Sequence, residues 1–446
     1  MLKMKLIGTY FWLVVCWGVK TFGLRSQTWF NEHVSRVRQL KVQLKKGPFD
    51  YAAYGRHLLF DNKTPDTTSF VPYVDHSQSN AQRIKESNVP KILAFYLPQF
   101  HSFPENDAWH GRGFTEWTNV TRALPQFLGH HQPQLPIDVG FYDLSSPKVM
   151  YRQVELAKNY GIYGFCFHYY WFTGGKRLLE RPLFNWLEHK DLDLPFMLCW
   201  ANENWSKLWD GGNRAVLMRQ KSRAEDAADF FRDILPFLQD PRYIRIDGKP
   251  HLIIYRPSLF TKENWTAFVA EIRRLAVEAG LGGIFLSMVG HENFPGTAKE
   301  WGCDAMVEFP PMRLMQKREY ADVQTNPDCK TLVYDMGKAL ADDRLIDIPD
   351  EGAPIFRGIF PGWDNTARKA YSNASCYPLT SEQYGDWLRR LIVWEQKHNA
   401  PDKRFIFVNA WNEWAEGAHL EPDSVRGYDY LEETWRCLNS GRGDGV

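Results

Sequence analysis

From Lys91 onward the chain alternates short apolar runs with amphipathic stretches. The runs are Ile92–Leu97 (ILAFYL), Gly164–His168 (GFCFH), Phe196–Trp200 (FMLCW), Leu252–Tyr255 (LIIY), Ile284–Met288 (IFLSM), Ala305–Phe309 (AMVEF), Ile355–Phe360 (IFRGIF) and Phe405–Ala410 (FIFVNA). They are mostly continuous rather than alternating in polarity, as expected of strands covered on both faces. Pro147–Tyr160 reads as a helix, with Val149, Met150, Val154, Leu156 and Ala157 spaced along one side. Its Ser145-Ser146-Pro147 start suits an N-cap followed by proline in the first turn. Ala224–Leu238, Asn264–Ala279 and Ser381–His398 read likewise, and a last helix begins near Tyr428. Helical patterns between the fifth, sixth and seventh runs are poorer, so the strand count is least defined there.

Strands alternating with helices predict a parallel sheet, closed or doubly wound. The placement of polar residues separates the two. Nearly every run ends in aromatic, His, Asn or Glu residues. A (β/α)8 barrel brings all its strand C-termini to one face and builds the active site there, whereas a doubly wound sheet has one switch point. The expected fold class is therefore α/β, a (β/α)8 TIM-like barrel with an N-terminal, partly irregular extension. Residues 91–437 form the expected catalytic domain, 1–90 the extension and 438–446 a tail. Residues 61 to 90 are rich in Ser, Thr, Asn, Asp and Pro, a linker composition.

The 446 residues carry 54 Lys plus Arg and 53 Asp plus Glu, a net charge of +1 that argues against a nucleic-acid partner. The aromatic content of 15% is high, and indole and phenol rings can stack on the C–H face of a sugar. The seven cysteines show no CxxC spacing, which fits a reducing compartment or a protein that needs no disulfides. Lys3 and Lys5 precede Leu6–Val19, an apolar stretch too short for a comfortable membrane span. It is open to three readings: a buried or interfacial helix, a signal sequence, or a short anchor. The cluster Arg36, Arg38, Lys41, Lys45 and Lys46 fits either a solvated helix face or an anionic membrane surface. A cytoplasmic or peripheral inner-membrane location is expected, with export by an N-terminal signal the alternative.

The densest chemistry lies at the eighth run, where Trp411-Asn412-Glu413-Trp414-Ala415-Glu416-Gly417 follows a strand. Glycosidic cleavage needs two carboxyl groups in different protonation states, and Trp beside one can hold it protonated by desolvation. Glu413 and Glu416 are the catalytic candidates, with Asn412 and Trp414 beside them. An ordinary helix start with Glu near its N-terminus is the plainer alternative. Four further clusters are candidate sugar-binding elements. Trp200, Asn202, Glu203 and Trp205 follow the third strand. His168, Tyr170 and Trp171 end the second. Tyr96, Gln99 and His101 end the first, and Trp109, Glu116 and Trp117 lie in the long loop after it. Trp363 and Asn365 follow the seventh. No metal site, P-loop or GxGxxG is evident, so no cofactor is expected. Asp191-Leu192-Asp193 has the Asp-x-Asp form, but its position suits a helix-to-strand loop.

The segments KILAFYLPQFH, NDAWHGRGFTEWTNV, YGFCFHYYWF, CWANENW and WNEWAEG resemble the glycosyltransferase WbsX-like family, which is itself similar to the glycoside hydrolase family 99 endo-α-mannosidases. The resemblance runs over residues 91–437 and implies a (β/α)8 barrel. In family 99 the catalytic pair lies in a Glu-Trp-x-Glu-Gly motif, which matches Glu413, Trp414, Glu416 and Gly417. It implies retention through a 1,2-anhydro sugar, with Glu413 drawing the proton from the 2-hydroxyl and Glu416 acting as acid, then base. Ala415 departs from the polar residue common in the mannosidases, which puts the substrate in question. The resemblance thus implies an enzyme cleaving or transferring α-mannoside-like linkages of a polysaccharide, in the setting of bacterial surface polysaccharide or lipopolysaccharide. A polysaccharide-assembling transferase using an activated donor and a silent glycan-binding protein are the alternatives.

Overall fold

The computed structural model describes residues 47–59, 70–77, 89–206, 216–290, 296–312, 320–342, 352–369 and 374–439. The Leu6–Val19 stretch, Cys16, the basic cluster and most of the polar linker lie outside them. No described helix is long and apolar enough to cross a membrane.

Eight parallel strands close on themselves among the described residues: β1 (Lys91–Tyr96), β2 (Gly164–Phe172), β3 (Phe196–Trp200), β4 (Lys249–Ile254), β5 (Phe285–Gly290), β6 (Ala305–Glu308), β7 (Ile355–Ile359) and β8 (Phe405–Val408). Each pairs with the next in sequence, and Lys91 of β1 pairs with Phe405 of β8 to shut the ring. This is the (β/α)8 barrel, with every expected strand in place. The apolar runs follow from the geometry, because one side of each strand packs into the barrel and the other against helices.

Helix α1 (Tyr51–Leu59) precedes the barrel, and α2 (Pro104–His110) and α3 (Glu116–Thr121) occupy the long loop after β1. Helices α4 (Lys148–Asn159), α5 (Arg181–Glu188), α6 (Ala227–Leu238) and α7 (Lys262–Glu278) follow β1 to β4 in turn. The described connection from β5 to β6 has as its helical part a short 3-10 turn, Lys299–Trp301, and that from β6 to β7 the five-residue α8 (Met336–Leu340) beside a two-residue strand, Leu332–Val333. These are the places where the periodicity is poor. Helix α9 (Ser381–His398) starts with a Thr380–Gln383 capping box and buries Tyr384, Leu388 and Leu391, and α10 (Asp429–Asn439) ends the described chain. The extension is tied to the barrel: Val71 N donates to Arg426 O (3.0 Å), and His76 stacks on Trp435 at 3.7 Å.

Strand parity decides which strand-end residues reach the barrel mouth. In β2, His168 and Tyr170 point inward, while Phe167 packs on Trp186 of α5 and Trp171 on Phe230 of α6. In β3, Trp200 points outward and stacks on Phe230 (4.2 Å) and Phe268 (5.5 Å). Tyr96 likewise faces α4, where its hydroxyl donates to Gln153. Trp200, Trp171 and Tyr96 are therefore core residues rather than sugar platforms. Trp200→Ala is expected to lower stability by about 3–5 kcal/mol, the cost of an indole-sized cavity, in urea denaturation. A loss below about 1 kcal/mol would place the ring outside the load of the core.

Candidate active site

Beyond β8 the chain makes a compact hairpin. Asn412–Glu413 pairs antiparallel with Ala418–His419, and Trp414–Glu416 forms the 3-10 turn between them. Gly417 closes the turn in the left-handed region (φ +57°), where a Cβ would lie 2.9 Å from the Cβ of Asp364. Glycine is required there on both counts. Asn412 clamps the hairpin to the exit of β1, accepting from Leu97 N (2.7 Å) and donating to Leu97 O (3.0 Å). Underneath, Glu421 accepts from Trp411 Nε1 (3.0 Å), Trp414 Nε1 (2.7 Å), Tyr142 Oη (2.9 Å) and Gln153 Nε2 (2.6 Å). The indoles beside the two glutamates are thus structural: they anchor the turn from below.

The hairpin presents Glu413 and Glu416 to one guanidinium. Arg368 donates from Nη2 to Glu413 (3.0 Å), from Nη1 to Glu416 (2.6 Å) and from Nε to Glu116 (3.2 Å). All four side chains are largely buried. Burial pushes the Glu413 carboxyl up to about 7; Arg368 opposes this and Glu416 adds to it. Burial also lowers the Lys369 ammonium, which Glu416 draws back up.

These groups line a cavity of about 330 Å³ at the C-terminal mouth of the barrel, within the range of small-molecule sites. Of the residues expected from the sequence, Gln99, Glu116, His168, Tyr170, Glu203, Trp205, Trp363, Asn365, Glu413 and Glu416 line it together. Nine do not. Tyr96, Trp171 and Trp200 face the helices, as described above. Asn202 spends both amide atoms on the backbone of Arg256, and Asn412 on that of Leu97. Trp414 is tied to Glu421, and Trp117 donates to Tyr142 O (2.8 Å) while packing on Phe100. His101 is buried beside Phe103, and Trp109 stands behind Trp205 with ring centroids 6.3 Å apart.

The cavity also holds residues that the sequence reading did not single out, among them Asn106, Phe114, Tyr255, Arg256, Phe309, Arg368 and Lys369. Arg256 pairs with Glu203 at 2.5 Å. Tyr255 and Arg256 follow β4 directly, so the strand-end rule extended to that run would have marked them. Arg368 carries no such signal. Asp191 and Asp193 lie before β3 among surface partners, Tyr151 and Lys158, away from the cavity.

Behind the cavity wall His130, Asp364 and Cys376 bring one metal-ligating atom each within 4.8 Å of one another. His130 already commits both ring nitrogens, with Nδ1 accepting from Gln126 N (2.9 Å) and Nε2 donating to Asp364 (2.6 Å). Asp364 accepts further from Gln132 (2.6 Å) and Thr366 N (3.0 Å). Hydrogen bonds account for this cluster, which buttresses the segment carrying Trp363, Asn365, Arg368 and Lys369.

Comparison with known proteins gives the family and the fold. Two curated relatives from Xanthomonas campestris pv. campestris, from strains B100 and ATCC 33913, are each described as "Uncharacterized protein WxcX". Each is 41% identical over 379 residues, covering 84% of this chain and 54% of the relative. The chain thus spans about half the length of the curated relatives it matches. Among solved structures, a GH99 endo-α-mannosidase from Bacteroides thetaiotaomicron matches with a TM-score of 0.50 at 13% identity, covering 80% of this chain and 97% of that one. A "Glycoside hydrolase-like protein" matches with a TM-score of 0.51 at 12% identity, covering 84% and 99%. Both share the fold. The sequence profile described as "Glycosyltransferase WbsX" matches residues 92–434, and the chain belongs to that family.

Proposed function

We propose that the chain is a carbohydrate-active enzyme that cleaves or transfers α-mannoside-like linkages of a polysaccharide, retaining configuration through a 1,2-anhydro sugar. The observation that carries this reading is the pairing of Glu413 and Glu416 on Arg368 inside an aromatic-lined cavity. Trp205, Trp363 and Tyr170 offer ring faces there, and the Glu203–Arg256 pair offers hydrogen-bonding edges to hydroxyls. Glu413 takes the proton of the sugar 2-hydroxyl as O2 attacks C1. Glu416 gives its proton to the departing oxygen. An acceptor O–H then opens the anhydro ring at C1, its proton passing to Glu416, while Glu413 returns its proton to O2. Water as acceptor gives hydrolysis, and a sugar hydroxyl gives transfer.

The test is product analysis by NMR with α-mannosides and surface polysaccharides, wild type beside Glu416→Gln. Retained anomeric configuration in the first-formed product supports the reading, and inversion sinks it. Turnover that appears only with a nucleotide- or lipid-linked donor would move the assignment to a donor-dependent transferase. A pH dependence follows as well. The pair must hold one proton, and burial, with the Glu416 charge beside it, raises the Glu413 carboxyl to about 7. Activity is therefore expected to fall as pH rises through about 7, where the pair gives up that proton, the apparent value belonging to the pair. A kcat/KM profile that stays flat from pH 6 to 9 would contradict this.

A further inference from the structure

We propose that Arg368 is a counter-ion shared by Glu413 and Glu416, keeping contact with the negative charge as it passes from one to the other during turnover, and that Glu116 is the positioning residue that fixes the guanidinium plane. The proposal rests on the two-carboxylate reading above.

In the reaction as written, the carboxyl pair holds one proton at every stage. Before the first step the negative charge lies on Glu413 and the proton on Glu416. When O2 bonds to C1 and the leaving oxygen departs, Glu413 has gained a proton and Glu416 has lost one. The second step reverses this. A cation touching one carboxylate alone would stabilise one stage and penalise the other. Arg368 touches both, through different nitrogens, at 3.0 Å and 2.6 Å. The guanidinium is planar and its donors are fixed relative to one another, so a third anchor settles where the other two point. Glu116 supplies it at Nε (3.2 Å), from helix α3. The relevant side chains are 5% exposed for Arg368 and Glu116, 10% for Glu413 and 13% for Glu416, so solvent does little to screen the arrangement. The other titratable groups around the pair are His168, Tyr170, Tyr255 and Lys369, which come from β2, the end of β4 and the Trp363–Lys369 segment. Arg368 hydrogen-bonds each of the two carboxylates.

Arg368→Lys keeps the charge, but a single ammonium cannot hold three carboxylates in the same geometry. On the full chain, with a substrate found in the product screen, kcat is expected to fall at least tenfold while KM changes less than about threefold. The alkaline limb of the pH profile should move up, because the Glu413 anion loses a hydrogen-bonded cation. Glu116→Leu removes the anchor and should lower kcat about tenfold. Glu116→Gln keeps an oxygen for Nε and should recover most of that loss, with its alkaline limb moved down because an anion is gone. Thermal unfolding checks that each variant folds. The proposal fails if Arg368→Lys holds kcat within threefold with an unmoved limb, if its defect lies in KM alone, or if Glu116→Gln is no better than Glu116→Leu. Should Arg368→Lys not fold, the Glu116 pair decides by the same criterion. If Glu413→Gln and Glu416→Gln stay active, the functional reading has failed instead; if both are dead and Arg368→Lys is unaffected, the counter-ion alone has.

Discussion

Glu416→Gln is expected to lower kcat by about 10²- to 10⁴-fold, the usual range for a lost general acid–base group, and Glu413→Gln by a similar factor. Both substitutions keep the side-chain shape and an oxygen that can accept from Arg368, so the cavity should keep its form and its affinity for glycan. The two variants should differ in one respect. A glycoside with a good leaving group, such as a nitrophenol, needs little help from an acid and should restore the first step in Glu416→Gln. It should not restore Glu413→Gln, because removal of the 2-hydroxyl proton is unaffected by the leaving group. Steady-state kinetics on matched substrates, with glycan affinity measured by calorimetry, read this directly. Either variant retaining activity within tenfold of wild type on a polysaccharide substrate would remove the pair from the chemistry.

The second large effect is on stability. Glu421 is 1% exposed and accepts four hydrogen bonds from four side chains. Glu421→Leu would leave Trp411 Nε1, Trp414 Nε1, Tyr142 Oη and Gln153 Nε2 without that acceptor. A buried donor stripped of its partner costs about 1–3 kcal/mol, and here four are stripped at once, with some finding new partners. The variant should therefore lose about 3–5 kcal/mol in chemical denaturation, and the turn carrying Glu413 and Glu416 should loosen with it. A loss below about 1 kcal/mol would mean that the donors find other partners at little cost.

The barrel was legible because its strands are covered on both sides, which writes them as unbroken apolar runs such as FMLCW and FIFV. The catalytic candidates were legible because two carboxylates and two indoles crowd one strand end. The aromatic platforms were less so. Trp200 and Trp171 end strands as His168 and Tyr170 do, but period-2 alternation sends them to the helical side, and a reading by strand end alone cannot separate the sides. Within YGFCFHYYWF, His168 and Tyr170 share a parity that Trp171 lacks, so the information was there. Arg368 was hidden for another reason. Asn-Thr-Ala-Arg-Lys-Ala has the look of a solvated loop, and only the fold brings Arg368 against Glu116, 252 positions earlier, and against the β8 hairpin. Charge pairing across the mouth of a barrel leaves no mark in local sequence.

Closure between Lys91 and Phe405 also sets an order of events in the cell. At a synthesis rate of 5–20 residues per second, the first stave waits roughly 15 to 60 s for the last one to leave the ribosome. For that interval one edge of β1 has no partner strand, and neither Glu413 nor Glu416 has yet emerged. That edge must stay shielded until β8 arrives to pair with it. A message truncated before codon 405 would yield an open, sticky sheet with none of the chemistry.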